Sequence, residues 1–363
     1  MMTQGIEAPE FPRDMLDFLR CSKDGEVLVT SDEVCGVMGI SSAKLTCSKC
    51  QSKFAISDGI ARLISSDASD EDAHEMALRD TEYAEASDYS PCSRSELSDF
   101  IEIPPFLRAI DIKRNNLIME VGCGDGRFTL LMLQRGARII AIDISVNALK
   151  KLNERLKTGR APTPYPQNEA LMKDFRSRVA LIHSDASKVR LAPLVLDRTL
   201  STTPLDSREQ RTALYRTISE SLKPDGWFVG STEYDDLFRR ALGLPTGTRY
   251  EAGGIFIEHF GIDKIKRETG AYFGKVKCWP VRPRVPLVHR ISPKVGIMIC
   301  NLISSLPLLR HAGEILLFRA SAPVHVEVEG THRRGSAIVK RLFSLYSRSV
   351  GKEPIWRWEK VKV

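Results

Sequence analysis

One short apolar run that ends in a glycine-rich turn constrains the fold more than any other feature of the chain. The run is LIMEV at 117–121, and glycine follows at positions 122, 124 and 126. A continuous apolar run of this length is typical of a strand that is buried on both faces of a parallel sheet. Glycine permits positive φ angles and a close approach of the backbone to a ligand. The stretch therefore predicts a strand, a ligand-binding loop and a following helix.

Apolar runs and amphipathic stretches alternate after this loop. The further predicted strands are RIIAIDIS (138–145), RVALIHSDA (178–186), LVLDRTLS (194–201), WFVGST (227–232), KVKCWPV (275–281) and EILLFRA (314–320). Helices are predicted between the first strands, including SREQRTALYRTISESLKPDG at 207–226. Such alternation predicts a doubly wound α/β domain with right-handed crossovers.

The residues around the loop discriminate between possible ligands. A triphosphate-binding loop ends in Gly-Lys-Ser/Thr, whereas this loop continues with Arg127 and Phe128. A dinucleotide fingerprint requires a third glycine where Arg127 stands, and Glu120 would repel a pyrophosphate. Asp143 ends the second strand seventeen residues after Gly126, where a carboxylate can accept both hydroxyls of a ribose. These features favour a cationic adenosine cofactor without phosphates.

The order of these motifs resembles that of the class I S-adenosylmethionine-dependent methyltransferases over roughly residues 100–320. The resemblance rests on Glu-x-Gly-x-Gly-x-Gly, Asp143, Asp185 and LKPDGWFV before the fifth strand. It implies a seven-stranded Rossmann-like sheet in which Asp143 holds the ribose and Asp185 with Ala186 contacts the adenine. The implied cofactor-binding residues are Glu120, Gly122, Cys123, Gly124, Gly126, Asp143, Ile144, Asp185 and Ala186. Either aspartate could instead be only a turn former or a helix cap.

A second resemblance concerns the amino-terminal residues, which predict small β-hairpins. CSKCQSKFAISDGIARLI at 47–64 resembles the end of the short zinc-ribbon family that activates, or is fused to, methyltransferases. The first Cys-x-x-Cys of that family is replaced here by Cys21 and Asp24. Cys21, Asp24, Cys47 and Cys50 could supply four Zn²⁺ ligands, because a carboxylate can bind zinc. The alternative is that the metal has been lost and packing maintains the fold; Cys35 is a weaker substitute ligand.

Composition and charge divide the chain further. We predict a zinc-ribbon-like module at 1–65, an acidic linker at 66–102, a methyltransferase domain at 103–321 with a helical insertion at 285–312, and a basic tail at 322–363. Residues 66–102 carry twelve acidic and two basic side chains, whereas residues 261–363 carry twenty basic and seven acidic ones. The basic third favours phosphate-bearing partners, or it is simply a solvated surface.

The residues that activate the acceptor are less clear in the sequence. The loop after the fourth strand, STTPLDSREQR at 201–211, lacks histidine, and its Asp206 is either an acid–base residue or the cap of the next helix. His259 follows the fifth strand, with Tyr234, Tyr250 and Glu258 near it in sequence. We therefore predict His259 as the first candidate for a general base and Asp206 as the second.

These patterns predict a cytoplasmic methyltransferase that acts on a small-molecule, lipid-linked or saccharide-type acceptor. The alternatives are an RNA methyltransferase and a catalytically silent binding partner that keeps the fold. Eight cysteines in 363 residues, without an apolar leader, argue against a secreted disulfide framework. No segment reaches membrane-spanning length. The apolar stretch at 285–312 suits a lid over an apolar acceptor, contact with a membrane surface, or simple core packing.

Overall fold

An eleven-stranded mixed sheet runs through the computed structural model. The structure describes residues 10–64, 70–85, 96–158, 175–202, 207–249, 256–283, 292–306 and 309–324. The chain divides into two units, one up to Pro323 and one from Val324 onwards. Almost all of the second unit lies outside the described residues. Within the described ranges, no helix combines the length and the apolar character needed to cross a bilayer.

The strands are numbered along the chain. They are β1 Leu19–Arg20, β2 Leu28–Cys35, β3 Ile40–Cys47, β4 Lys53–Ser57, β5 Ile60–Arg62, β6 Leu117–Val121, β7 Arg138–Asp143, β8 Val179–His183, β9 Arg190–Leu191, β10 Leu196–Ser201, β11 Leu222–Glu233, β12 Gly247–Arg249, β13 Phe256–Glu258, β14 Phe273–Pro283 and β15 Gly313–Pro323.

The helices follow the same numbering. They are α1 Arg13–Leu16, α2 Asp70–Glu85, α3 Glu96–Ile110, α4 Arg127–Leu133, α5 Val146–Thr158, α6 Arg208–Ser221, α7 Leu237–Ala241, α8 Ile262–Gly270 and α9 Pro293–Ser305. Short 3₁₀ turns lie at Arg176–Arg178 and Leu309–Ala312.

The strand order of the large sheet is β14-β15-β11-β10-β6-β7-β8-β5-β4-β3-β2. Strands β11, β10, β6, β7, β8 and β5 run parallel to their neighbours in this series, whereas β15 is antiparallel to both β11 and β14. The sequence predicts seven strands and a separate small module. In the structure, β5 pairs with β8, so the amino-terminal hairpins extend the same sheet.

Burial explains why the central strands form where they do. Every residue of β6 and of β8 is buried, as expected for strands covered on both faces. One core cluster joins β6, β7 and β8 to α3, α4 and α5. The other lies on the opposite face and includes Phe11, Leu45 and Phe54 of the amino-terminal module together with Tyr215 of α6. The module therefore shares a core with the α/β domain as well as a sheet.

Local signals set the ends of two helices at the ligand-facing edge. Helix α4 begins after Gly126, whose φ of 97° suits glycine, and the chain turns again at Gly136, with a φ of 83°. Helix α6 begins with a capping box in which the Ser207 hydroxyl accepts from the Gln210 amide while the Gln210 side chain accepts from the Ser207 amide. The cap of α6 is therefore Ser207 rather than Asp206.

Candidate active site

The glycine-rich loop after β6 is bonded to the end of β7. The backbone amides of Gly122 and Cys123 donate to the Ile142 carbonyl at 2.9 and 3.0 Å. The Gly124 amide donates to Oδ2 of Asp143 at 2.7 Å, and the Ser145 amide donates to Oδ1 at 2.9 Å. The structure therefore brings the predicted loop and the predicted ribose-binding carboxylate into direct contact.

Backbone geometry in this loop requires glycine. Gly122, Gly124 and Gly126 have φ angles of 69°, 54° and 97°, which residues with a side chain rarely adopt. A Cβ atom at Gly124 would lie 2.5 Å from the Tyr83 hydroxyl, and one at Gly126 would lie 2.4 Å from Cδ1 of Leu152. Larger residues would thus both strain the loop and clash with the groups that cover it.

Glu120, which is buried, and Asp143, which is half-buried, give the crevice an acidic character. Burial raises the pKa of Glu120 to about 8, although a hydrogen bond of 2.5 Å from the Thr129 hydroxyl opposes this shift. Burial likewise raises the pKa of Asp143, and its two backbone hydrogen bonds oppose the rise. Neither carboxylate forms a salt bridge with another described residue. A cation bound in the crevice would stabilise both charged forms.

Helix α2 covers the same loop, and sequence reasoning missed its contribution. Asp80 accepts from the Ser145 hydroxyl at 2.5 Å and from the Asn147 amide at 3.1 Å. Tyr83 places its hydroxyl over Gly124, and burial followed by the charge of Asp143 raises its pKa above the ordinary value. The acidic charge of residues 66–102 favoured a linker, and α2 lies within that range.

The remaining residues predicted to contact the adenine, Asp185 and Ala186, follow the end of β8. Asp185 is buried and closes a turn, because its oxygens accept from the Ser187 amide at 2.8 Å and the Ser187 hydroxyl at 2.9 Å. Lys188 lies 3.6 Å from the same carboxylate. Half-buried Ala186 follows directly. The arrangement agrees with the turn-forming alternative for Asp185, and its contact with an adenine stays a prediction.

His183 links β8 to the residue after Asp143. Its Nε2 lies 3.0 Å from the Ile144 carbonyl oxygen, and burial lowers its pKa. The ring therefore packs and bonds within the fold, as a strand residue would. Ile144 is held at the crevice by this contact, one residue beyond the Asp143 carboxylate.

The candidate base His259 lies at the same edge of the sheet as the loop, but farther along it. Val121, Ser201 and Gly230 are side by side across β6, β10 and β11. The chain at His259 is joined to β11 three residues beyond Gly230, where the Phe260 amide donates to the Glu233 carbonyl at 2.8 Å. No described contact joins His259 to the loop or to Asp143.

Around His259, the neighbours expected from the sequence have other partners. The Tyr234 hydroxyl lies 3.0 Å from Nδ1 of His311, and Glu258 forms ion pairs with Arg211 and Lys264. Burial and then the charge of Arg239 lower the pKa of His259, so its neutral form is favoured. Its role as a base therefore stays a prediction; Tyr250 and Asp206 lie outside the described residues.

Arg211 organises a second group of charges beside β11. Its side chain, 5% exposed, lies 2.9 Å from Glu268 and 3.4 Å from Glu258. Lys264 forms an ion pair with Glu258 as well, and the Arg211 guanidinium stacks 4.8 Å from the centre of the Phe260 ring. Here every acidic side chain has a cationic partner.

The four predicted metal ligands meet in the amino-terminal hairpins. One ligand atom from each of Cys21, Asp24, Cys47 and Cys50 lies within 4.8 Å of the others. The sulfurs of Cys21 and Cys50 are 3.6 Å apart, and the Cys47 sulfur lies 3.3 Å from Oδ1 of Asp24. Two thiolates on one tetrahedral Zn²⁺ would be about 3.8 Å apart. Exposed Cys35 lies outside this group.

The pKa values of Cys21 and Asp24 in this cluster are shifted in opposite directions. Burial raises the pKa of Cys21 to about 12. Burial also acts to raise the pKa of Asp24, but hydrogen bonds from the Glu26 amide and from the thiols outweigh it and lower the value to about 2. The group offers an ionised Asp24 carboxylate, whereas a metal would have to displace the proton of the Cys21 thiol.

Comparison with known proteins finds one family profile that matches the residues around the loop. Residues 119–230 match the profile of a family described as a methyltransferase domain. This match supports a methyltransferase that uses S-adenosylmethionine. No curated protein sequence matches the chain.

Several solved structures are similar to this domain in part. A candidate S-adenosylmethionine-dependent methyltransferase from Listeria monocytogenes is 14% identical over 63% of this chain and 99% of its own, with a TM-score of 0.44. A chain from the complex of the Haloferax volcanii Trm112 methyltransferase activator with a candidate methyltransferase is 13% identical over 68% of this chain and 97% of its own, with a TM-score of 0.45. Haemonchus contortus phosphoethanolamine N-methyltransferase 2, in complex with S-adenosyl-L-methionine, is 13% identical over 61% of this chain and 52% of its own, with a TM-score of 0.39.

Proposed function

We propose that the protein transfers a methyl group from S-adenosylmethionine, which binds in the crevice formed by the glycine-rich loop and the ends of β7 and β8. The observation that carries this proposal is the contact between the Gly124 amide and the Asp143 carboxylate, inside a segment that matches a methyltransferase domain. The loop then faces the methionine and ribose portions. Each carboxylate oxygen of Asp143 has a second lone pair, and these lone pairs can accept hydrogen bonds from the ribose hydroxyls.

Electrostatics support a cationic ligand in this crevice. Glu120 is buried and Asp143 is half-buried, neither forms a salt bridge with a described residue, and desolvation raises the pKa of both. The bound cofactor supplies an electrophilic methyl group on a positively charged sulfur. Buried acids of this kind favour that charge and disfavour a phosphate. The adenine end is assigned to Ile144, Asp185 and Ala186, which follow β7 and β8.

For the acceptor, we propose a small-molecule, lipid-linked or saccharide-type compound bound beyond the ends of β10 and β11. Ser201 ends β10, Ser231 and Thr232 lie just before the last residue of β11, and all three side chains are buried. The chain lacks the Asn/Asp-Pro-Pro-aromatic turn of amino-methylating nucleic acid enzymes after β10, where it reads STTPL. His259 is the proposed base because it is favoured in its neutral form at this edge.

Calorimetric titration with S-adenosylmethionine and S-adenosylhomocysteine tests the cofactor site. We expect wild-type protein to bind both, and Asp143→Ala to weaken binding by about 100-fold, because it loses charge-assisted hydrogen bonds to the ribose. Asp225→Ala is the matched control, since Asp225 is exposed within β11 and away from the loop. A folded wild-type protein that binds neither compound would refute the proposal.

We further propose that Cys21, Asp24, Cys47 and Cys50 hold one Zn²⁺ that stabilises the amino-terminal hairpins. The support is the convergence of four ligand atoms within 4.8 Å on two turns of a module that is small for an independent core. Bound metal would be lost on chelation, with a fall in the melting temperature.

Metal analysis of the purified protein tests this site. We expect about one zinc per chain in the wild type and a large loss in Cys47→Ser, because that thiolate is buried at the centre of the cluster. Cys35→Ser is the control, since Cys35 is exposed and outside the cluster. Equal and negligible zinc in all three proteins would show that packing alone maintains the module.

A further inference from the structure

Helix α9 carries apolar side chains on a side that no described element covers. Val295, Met298 and Leu302 are 42%, 64% and 60% exposed, at the spacing of one helix face, and Leu306 after the helix is 41% exposed. The opposite side of the helix is packed against α3 and β14, where Cys300 is fully buried. The exposed stripe is therefore additional to the part of α9 that builds the core.

This stripe continues onto two neighbouring elements. The 3₁₀ turn at 309–312 contacts both α9 and α7, and its Leu309 is 51% exposed. On the α7 side, Phe238 is 58% exposed and Leu242 is 72% exposed. We call the exposed apolar side chains of α9, this turn and α7 the apolar face. Exposed apolar side chains on adjoining elements mark interaction surfaces.

Basic residues outnumber acidic ones around the apolar face. The chain has no acidic residue from 269 to 313, a stretch with seven lysines and arginines. The segment 237–249, which includes α7, carries three arginines and no acidic residue, but Asp235 and Asp236 precede it and Asp235 pairs with Arg240. A surface of this kind is electrostatically complementary to a negatively charged partner.

A basic groove adjoins the helix. It lies between α3 and α9, where Asn301 and Ser304 form one wall, and Arg108, Arg282 and Arg319 contribute positive charge. None of its described lining residues is acidic. Arg282 pairs with Glu102 and Glu314, whereas Arg108 and Arg319 form no salt bridge with another described residue. Guanidinium groups in such a groove suit phosphate oxygens.

We propose that the apolar face docks on the surface of an anionic lipid bilayer. Apolar side chains of α7, the 3₁₀ turn and α9 enter the boundary between headgroups and acyl chains, and the basic border faces lipid phosphates. An apolar helix face bordered by cations binds bilayers in this way, and anionic lipids strengthen the attachment. The proposal is independent of the cofactor and the acceptor.

Co-sedimentation of the full chain with vesicles tests the docking surface. The probes are vesicles of phosphatidylcholine with phosphatidylglycerol, and vesicles of phosphatidylcholine alone. We expect wild-type protein to sediment with the anionic vesicles, and Met298→Asp/Leu302→Asp to reduce the bound fraction by about tenfold, because two inserted side chains become charged. Lys294→Ala/Arg108→Ala should weaken binding to anionic vesicles only.

Val34→Asp/Val37→Asp is the matched control for two new charges. These valines are 57% and 84% exposed near β2, at the opposite edge of the sheet from α9, and the pair should bind vesicles like the wild type. Melting temperatures check that each variant is folded, and Met298→Ser/Leu302→Ser replaces the aspartate pair if that pair does not fold. Wild-type protein that ignores anionic vesicles would overturn the proposal. So would a dimer in solution that dissociates in the Met298→Asp/Leu302→Asp variant, since the face would then bind a second copy.

Discussion

Two groups of buried or half-buried acidic side chains lie over the same sheet, and their surroundings are opposite. Glu258 and Glu268 pair with Arg211 and Lys264. Within the described part of the chain, the Glu120 side chain accepts one hydrogen bond, from the Thr129 hydroxyl, and burial raises its pKa to about 8. A buried ion pair is satisfied within the fold, whereas a buried carboxylate without a cation is stabilised when a ligand brings one. The difference separates a structural cluster from a candidate binding site.

Breaking the paired cluster should have the largest effect on stability. Arg211→Met removes the buried cation and leaves Glu268 with only the more distant Lys264, at 4.0 Å, so we expect the free energy of unfolding to fall by about 1.5–3 kcal/mol. Denaturant titration measures the change. Arg211→Met/Glu268→Leu should recover part of the loss, because the remaining carboxylate, Glu258, still has Lys264 as its cationic partner. A loss below about 1 kcal/mol in the single variant would show that the cluster is effectively solvated.

The raised pKa of Glu120 should make the stability of the ligand-free protein depend on pH. Glu120 has a folded pKa of about 8, above its ordinary value of 4.5, so the folded protein binds more protons than the unfolded chain between these values. The stability of the ligand-free protein should therefore fall as pH rises from about 4.5 to about 8 and then level off. Glu120→Gln should flatten this dependence, as measured by urea unfolding at several pH values. An unchanged slope would contradict the raised pKa.

If the proposed function is correct, the Glu120 carboxylate should also make cofactor affinity depend on pH. Affinity for S-adenosylmethionine should rise as pH approaches about 8, because the charged Glu120 favours the sulfonium, with a gain of about tenfold. S-Adenosylhomocysteine has no sulfonium charge and should show a weaker dependence. Parallel titration of the two compounds gives the comparison. Identical pH profiles would place the sulfur away from Glu120.

The smallest effect should come from the cover of the loop. Tyr83→Phe removes the hydroxyl that lies over Gly124, and we expect cofactor affinity to change by about threefold at most. Gly124→Ala should be far more damaging, because its φ is 54° and its Cβ would meet that hydroxyl at 2.5 Å. In the double variant, Tyr83→Phe should restore part of the binding that Gly124→Ala loses. No restoration would mean that backbone strain alone accounts for the loss.

Local patterns predicted the part of the fold that carries the loop. LIMEV forms β6 at the residues expected, because five consecutive buried side chains leave few alternatives to a central strand. Asp143 ends β7 as its position after IIAI indicates, and the contact with Gly124 follows from adjacent parallel strands. Each of these features is determined by a few consecutive residues and can therefore be predicted from the sequence.

Non-local contacts account for what the sequence did not reveal. The strand β5 has only three residues, and nothing in IAR indicates that it pairs with β8. Asp80 and Tyr83 stand in an acidic segment, and their place over the loop depends on how α2 packs against α5. Prolines 104 and 105 lie inside α3, where a local reading would end a helix. Tertiary packing outweighs local preference at these positions.

The pairing of β5 with β8 has a consequence for how the chain is made. Ile60 lies opposite Leu181, so the amino-terminal hairpins leave the ribosome long before the strand that completes their sheet exists. During that interval the open edge of β5 can pair with another chain. The residues from Cys21 to Cys50 are already present, so a metal bound there would hold β2, β3 and β4 together. A metal in this cluster would then stabilise the hairpins of the nascent chain before β8 is synthesised.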